Sequence, residues 1–172
     1  MSAAPPPTGI DVRSLSVLAP GRGGPKALLK DIDFQIGTGT FVAIIGASGC
    51  GKSTLLKSLA GIQQPSAGDV LLAGHPVEAL KREFPLAVGY LPQFGAFHTA
   101  LTVEENLRIA VALRLPGSVP QQVKDQWVRH IIELARLQPF LNQTYNTLSG
   151  GQMRRLALAE ELIGDPAFLL LD

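Results

Sequence analysis

Residues 41–54, FVAIIGASGCGKST, decide the fold. The unbroken apolar run 41–45 reads as a strand buried on both faces of a sheet. It leads into Gly46, Ala47, Ser48, Gly49, Cys50, Gly51, Lys52, Ser53 and Thr54, of which 46–53 fit the phosphate-loop spacing G-x-x-x-x-G-K-[ST]. The spacing has a physical basis. Glycines let the chain curl until successive backbone N–H groups converge on phosphate oxygens. The helix that follows adds its positive N-terminal end, where an anion is favoured. Lys52 can then reach the β and γ phosphates, and the Ser53 hydroxyl can bind Mg²⁺. An ordinary glycine-rich strand–helix turn is the bland alternative, but a strand before and a helix after are what the motif requires.

Outward from the loop, Leu55, Leu56, Leu59 and Ala60 form a helical stripe closed by Gly61. Upstream, 10–18 and 32–36 read as strands around a Gly/Pro-rich turn at 20–25; downstream, 69–73 and 88–91 read as two more. From about residue 100 the pattern turns helical. Thr102 and Glu105 make a capping box for a helix with Leu107, Ala110 and Val111 on one face, stopping before Pro116. A second helix is expected at about 121–137 with Val123, Trp127, Ile131, Leu134 and Ala135 inward. A third starts at Ser149, with Gln152 completing another box, and ends at Gly164 with Pro166 beyond. The run FLLLD at 168–172 returns as a strand. Short strands alternating with helical segments predict an α/β fold, a sheet covered by helices.

Composition agrees. The 172 residues are 46% hydrophobic and 6% aromatic, which suits an aliphatic core, and the net charge of +1 leaves no basic footprint for a nucleic acid. No apolar run nears the roughly 18 residues of a membrane span. The N-terminal MSAAPPPTG lacks the layout of a signal peptide and reads as a flexible tail. A single cysteine, Cys50, excludes an internal disulfide and fits a reducing cytoplasm.

The pentapeptide LSGGQ at 148–152 narrows the reading. Ser149 caps a helix whose N-terminal amides Gly150 and Gly151 leave uncovered, a second anion site. Together with the phosphate loop it resembles the ABC ATPase family, over nearly the whole chain and with the motifs in family order. The resemblance implies a P-loop NTPase (RecA-like) core with an N-terminal antiparallel β subdomain and an inserted α-helical signature subdomain. After a tail at 1–9, residues 10–172 would form one domain, with 10–93 and 165–172 as the ATP-binding core and 94–164 as the helical subdomain. It further implies that ATP and Mg²⁺ are bound, and that two such domains pair head to tail. Ser149, Gly150, Gly151 and Gln152 would then complete the partner's site. Gln93, in YLPQ, sits at the family's Q-loop glutamine, which contacts Mg²⁺ and the attacking water. Asp172 matches the aspartate ending the Walker B strand, whose carboxylate can hold Mg²⁺ through water, so the implied metal residues are Ser53, Gln93 and Asp172. The implied partner is a transporter's transmembrane domain, on the same or a separate chain, and the implied location is the cytoplasmic face of the membrane.

The family's next residue after that aspartate is usually a glutamate that polarises water, and a D-loop and a switch histidine follow. The sequence stops at Asp172, and His75, His98 and His130 all lie upstream. The expectation is a segment of a longer protein, with an incomplete sheet, that does not turn over ATP by itself. The stretches LTVEENLRIAVALRLP and LALAEELIGDP look like the G subfamily of ABC exporters. A soluble ABC ATPase acting on ribosomes or other machinery is the alternative. Family members often stack adenine on an aromatic residue upstream of the phosphate loop. Residues 15–20 hold none, leaving Val17 or Leu18 as an apolar contact.

Overall fold

A computed structural model describes residues 9–21, 23–93 and 98–172, which form two compact units. The first unit runs up to Pro85 and includes Asp172; the second is Leu86–Leu171.

In the first unit, β1 (Gly9–Ala19), β2 (Lys26–Gly37), β3 (Ala67–Leu72) and β4 (His75–Pro76) make an antiparallel sheet of order β2-β1-β3-β4. Val12 pairs with Phe34 on one side and Val70 on the other. Val12, Leu15, Val17, Val70 and Leu72 are buried. The β1–β3 register slips between Arg13 and Ser16, and Gly68 allows it: a Cβ there would collide with the carbonyl oxygens of Arg13 and Ser14. Helix α1 (Lys52–Leu59) buries Leu56 and Leu59, with Ala60 following, on the stripe the spacing predicts. The short helix α2 (Val77–Glu83) turns Val77 and Leu80 inward, and Lys81 donates to the Ala60 carbonyl at 2.8 Å, satisfying a helix-end acceptor.

Residues 41–45 depart from the expectation. They take no strand conformation, and Phe41 and Ile45 are 91% and 93% exposed. A strand exists through its ladder, and among the described residues none pairs with this run. Apolar sequence marks where a strand belongs but cannot supply its neighbours.

The second unit pairs β5 (Val88–Leu91) in parallel with β6 (Phe168–Leu171) and packs α3 (Val103–Arg114), α4 (Gln121–Leu134) and α5 (Gly150–Glu161). Its core gathers Leu107 and Val111 of α3, Val128, Ile131 and Ile132 of α4, and Leu156 and Ala159 of α5. Helix α4 ends at Leu134, three residues early; of the expected inward residues Ile131 is buried and Trp127 and Ala135 pack against the core. Val123 and Leu134 are exposed, while Val128 and Ile132 are buried beside Ile131. Both pairs are apolar at helical spacing, so packing partners made the choice. Among the described residues, no helix is long and apolar enough to cross a membrane.

One carboxyl in this unit is out of its ordinary range. Burial pushes Glu160 up to about 7; the nearby Arg114 opposes the shift and Glu161 adds to it. The folded pKa lies above the unfolded one, so the protonated form is favoured in the native state. Stability is therefore full below about pH 4.5 and falls as pH rises toward 7. Glu160→Gln, which stays neutral, should be about 1–3 kcal/mol more stable than wild type at pH 8, with the upper end reduced by residual contact with water. The advantage should shrink to about a quarter of that at pH 5. Urea unfolding at both values checks this, and an equal difference at the two pH values contradicts it.

Candidate nucleotide site

The phosphate-loop residues lie together immediately before α1. Gly49 and Gly51 adopt positive φ values, 78° and 100°, which an L side chain rarely takes. Gly51 is constrained twice, since a Cβ would lie 2.8 Å from Leu29 Cδ2 and 2.9 Å from the Leu28 carbonyl oxygen. The loop thus closes directly onto β2, a support no spacing rule announces.

Gly51 is also the N-cap of α1 and supplies no side chain to the first turn. The N-terminal amides of Lys52, Ser53 and Thr54 therefore have no side-chain cap, and no acidic residue occupies that turn. Lys52 folds back into the loop: its ammonium donates to the Gly46 carbonyl at 2.9 Å and the Ala47 carbonyl at 2.8 Å. Cys50 is exposed, with Sγ 3.8 Å from Lys52 Nζ. Ser53 Oγ donates to Asp172 Oδ1 at 2.7 Å across 119 positions of sequence. Two sequence-predicted metal ligands are thereby brought together.

Those two oxygens are hard donors of the kind Mg²⁺ takes. Around an octahedral ion at 2.0–2.1 Å, adjacent oxygens sit about 3 Å apart, so the Ser53–Asp172 spacing fits without rearrangement of the backbone. No cluster of three His, Cys, Asp or Glu exists among the described residues. A cation here would depend on a hydroxyl, a carboxylate and oxygens of the phosphate itself.

The remaining predicted residues belong to the second unit. Gln93 follows β5 and is exposed. Ser149 caps α5, accepting from the Gln152 amide at 3.4 Å while the Gln152 side chain accepts from the Ser149 N–H at 2.6 Å. Gly150 and Gly151 are exposed, and a Cβ at either would meet nothing within 4 Å. Among the described residues, packing does not require glycine at either place. Upstream of the loop, Val17 is 1% exposed and so cannot touch a base, whereas Leu18 is 47% exposed and remains available for an apolar contact.

Comparison with known proteins follows the same lines. A family model described as ABC transporter matches residues 29–172. The chain is 35% identical over 164 residues to an ABC transporter ATP-binding/permease protein of Mycobacterium tuberculosis, covering 95% of this chain and 19% of that protein. It is 37% identical to the spermidine/putrescine import ATP-binding protein PotA of Pseudomonas fluorescens, covering 95% and 44%. Among solved structures, the ATP-binding cassette MJ0796, dimeric in a post-hydrolysis state with ADP and Pi, superposes with a TM-score of 0.83 at 25% identity, covering 95% and 73%. Other relatives are named for import and for export alike, so they do not favour the G subfamily. The chain spans 19% to 59% of the length of these curated relatives.

Proposed function

This chain belongs to the ABC transporter family, and from that premise we propose that it binds Mg-ATP at residues 46–54 and supplies the hydrolysis step that drives a substrate through a membrane domain. The observation that carries the reading is the contact of Ser53 with Asp172 beside the loop. It assembles, from distant parts of the sequence, the oxygen pair a phosphate-bound cation needs.

The chain's own groups act in sequence. The uncapped amides of α1 receive phosphate oxygens. Lys52 exchanges the Gly46 and Ala47 carbonyls for the β and γ phosphates, neutralising charge as the terminal phosphoryl departs. Ser53 and Asp172 would hold Mg²⁺, which would supply positive charge beside the phosphate oxygens. Gln93 positions the attacking water. Ser149, Gly150, Gly151 and Gln152 close over the γ-phosphate held by a second copy, so that ATP joins two domains head to tail. Residues 94–164 serve as the signature subdomain of one domain spanning 10–172. The membrane domain sits on the same or another chain, and the nucleotide-binding part described here lies against it at the cytoplasmic face of the membrane. Two features support this reading: bare glycines at α5 that no packing among the described residues explains, and relatives named as transport components. A soluble ribosome-acting ATPase would share the nucleotide chemistry, but the Mycobacterium protein and PotA are both named for transport.

The test uses the natural loop thiol. Intact protein carrying Ser149→Cys is treated with a short bismaleimide. A Cys50-to-position-149 link between two copies should form with ATP under conditions that prevent turnover, and should disappear with ADP. Linking that ignores the nucleotide overturns the head-to-tail arrangement.

A further inference from the structure

The edge of β5 is held by one helix. In the parallel ladder Ala87 faces β6, its carbonyl accepting from Phe168 N–H at 3.0 Å. The two-residue period of a strand therefore turns Tyr90 and Pro92 to the opposite edge. There the Tyr90 N–H donates to Glu161 Oε2 at 3.1 Å, and the Pro92 carbonyl accepts from Arg154 Nη1 at 2.7 Å. Arg154 and Glu161 are seven residues apart on α5, two turns, and so lie along one face. An acidic side chain takes the edge donor and a basic one the edge acceptor. Glu161 is itself fixed by Arg114 of α3, which engages both carboxylate oxygens. Pro92 has no N–H and cannot continue the ladder; Gln93 follows it directly.

We propose that Arg154 is a positioning residue for Gln93. Its guanidinium holds the Pro92 carbonyl and so fixes where the peptide carrying Gln93 leaves the sheet. Because Arg154 stands one turn into the helix begun by Ser149, the signature end of α5 and the water-positioning glutamine move as one piece. Seating of the signature on a partner's phosphate is thereby transmitted to Gln93 within the same chain, through a charge-assisted bond to backbone. The role of Gln93 in the proposed function is its premise.

The experiment measures ATP turnover, KM for ATP and thermal midpoint of the intact protein for Gln93→Ala, Arg154→Met, Arg154→Lys and the double variant Gln93→Ala/Arg154→Met. Methionine keeps the length and apolar stem of the side chain, so the fold persists. Arg154→Met should lower kcat between about 5- and 100-fold, the range small misplacements of a catalytic group produce, with KM and the midpoint unchanged. Arg154→Lys, whose ammonium can still donate to a carbonyl, should recover most of the rate. The double variant should be no slower than Gln93→Ala, because both changes act through one group. Multiplying effects in the double variant, or wild-type kcat in Arg154→Met beside a slow Gln93→Ala, overturns the inference alone. A wild-type rate in Gln93→Ala removes its premise instead.

Discussion

Replacing Lys52 by alanine is expected to lower ATP turnover of the intact protein by about 10²–10³-fold, the scale on which loss of one preorganised electrostatic group acts. The ammonium is already drawn into the loop by the Gly46 and Ala47 carbonyls. It therefore stands within the loop, at the place where the motif expects phosphate. Alanine removes both the charge and the tether. Arginine should not rescue, because a planar fork cannot reproduce a compact point charge among closely spaced carbonyls. Folding should hardly notice, since all the bonds broken are solvent-exposed. Turnover within threefold of wild type, at saturating Mg-ATP, would show that the loop grips phosphate through its amides alone.

Local signals in this chain proved readable because their physics is local. Both capping boxes, Thr102 with Glu105 and Ser149 with Gln152, form as their three-residue spacing dictates. The inward stripe of α1 and the positive-φ glycines of the loop follow from the same short range. What failed depended on partners elsewhere. Residues 41–45 were apolar enough for a central strand, yet a run of side chains cannot provide its own ladder. On helix α4 Trp127, Ile131 and Ala135 pack as their spacing predicts, while packing against α3 and α5 buries Val128 and Ile132 and leaves Val123 and Leu134 exposed. Helix α2 and the two-residue strand β4 left too few residues to show a period. Of the candidate site, the loop could be named from spacing, and the signature from the resemblance of its pentapeptide to the family's. Ser53 and Asp172, 119 positions apart, are paired in the sequence only through the Mg²⁺ that the resemblance assigns to both, and the grip of α5 on β5 joins residues 62 and 71 positions apart that nothing in the sequence pairs.

Gly151 offers the sharpest separation of folding from function. In a helix a glycine costs up to about 1 kcal/mol relative to alanine, and one in the first turn is tolerated more easily. Neither Gly150 nor Gly151 has a neighbour that a Cβ would strike. Gly151→Ala should therefore leave the chain as stable as before or stabilise it by as much as about 0.5–1 kcal/mol. Gly151→Leu, with a longer side chain directed into open space, should also fold. In the intact protein the same two changes should act in the opposite sense on activity. A methyl group partly covers the amides of α5, and an isobutyl group blocks a phosphate from reaching them. Turnover should fall stepwise from glycine to alanine to leucine, the last by about 10²-fold or more, as expected when a preorganised donor set is denied its anion. Nucleotide affinity of a single domain should stay as it was, since the loop at 46–54 belongs to a separate set of amides. Unfolding curves, single-domain ATP binding and turnover, measured on the three proteins, distinguish the possibilities. Falling stability in step with falling turnover would make these glycines a matter of packing. Unchanged turnover in Gly151→Leu would mean that no phosphate ever approaches this end of α5, and the second anion site would have to be abandoned.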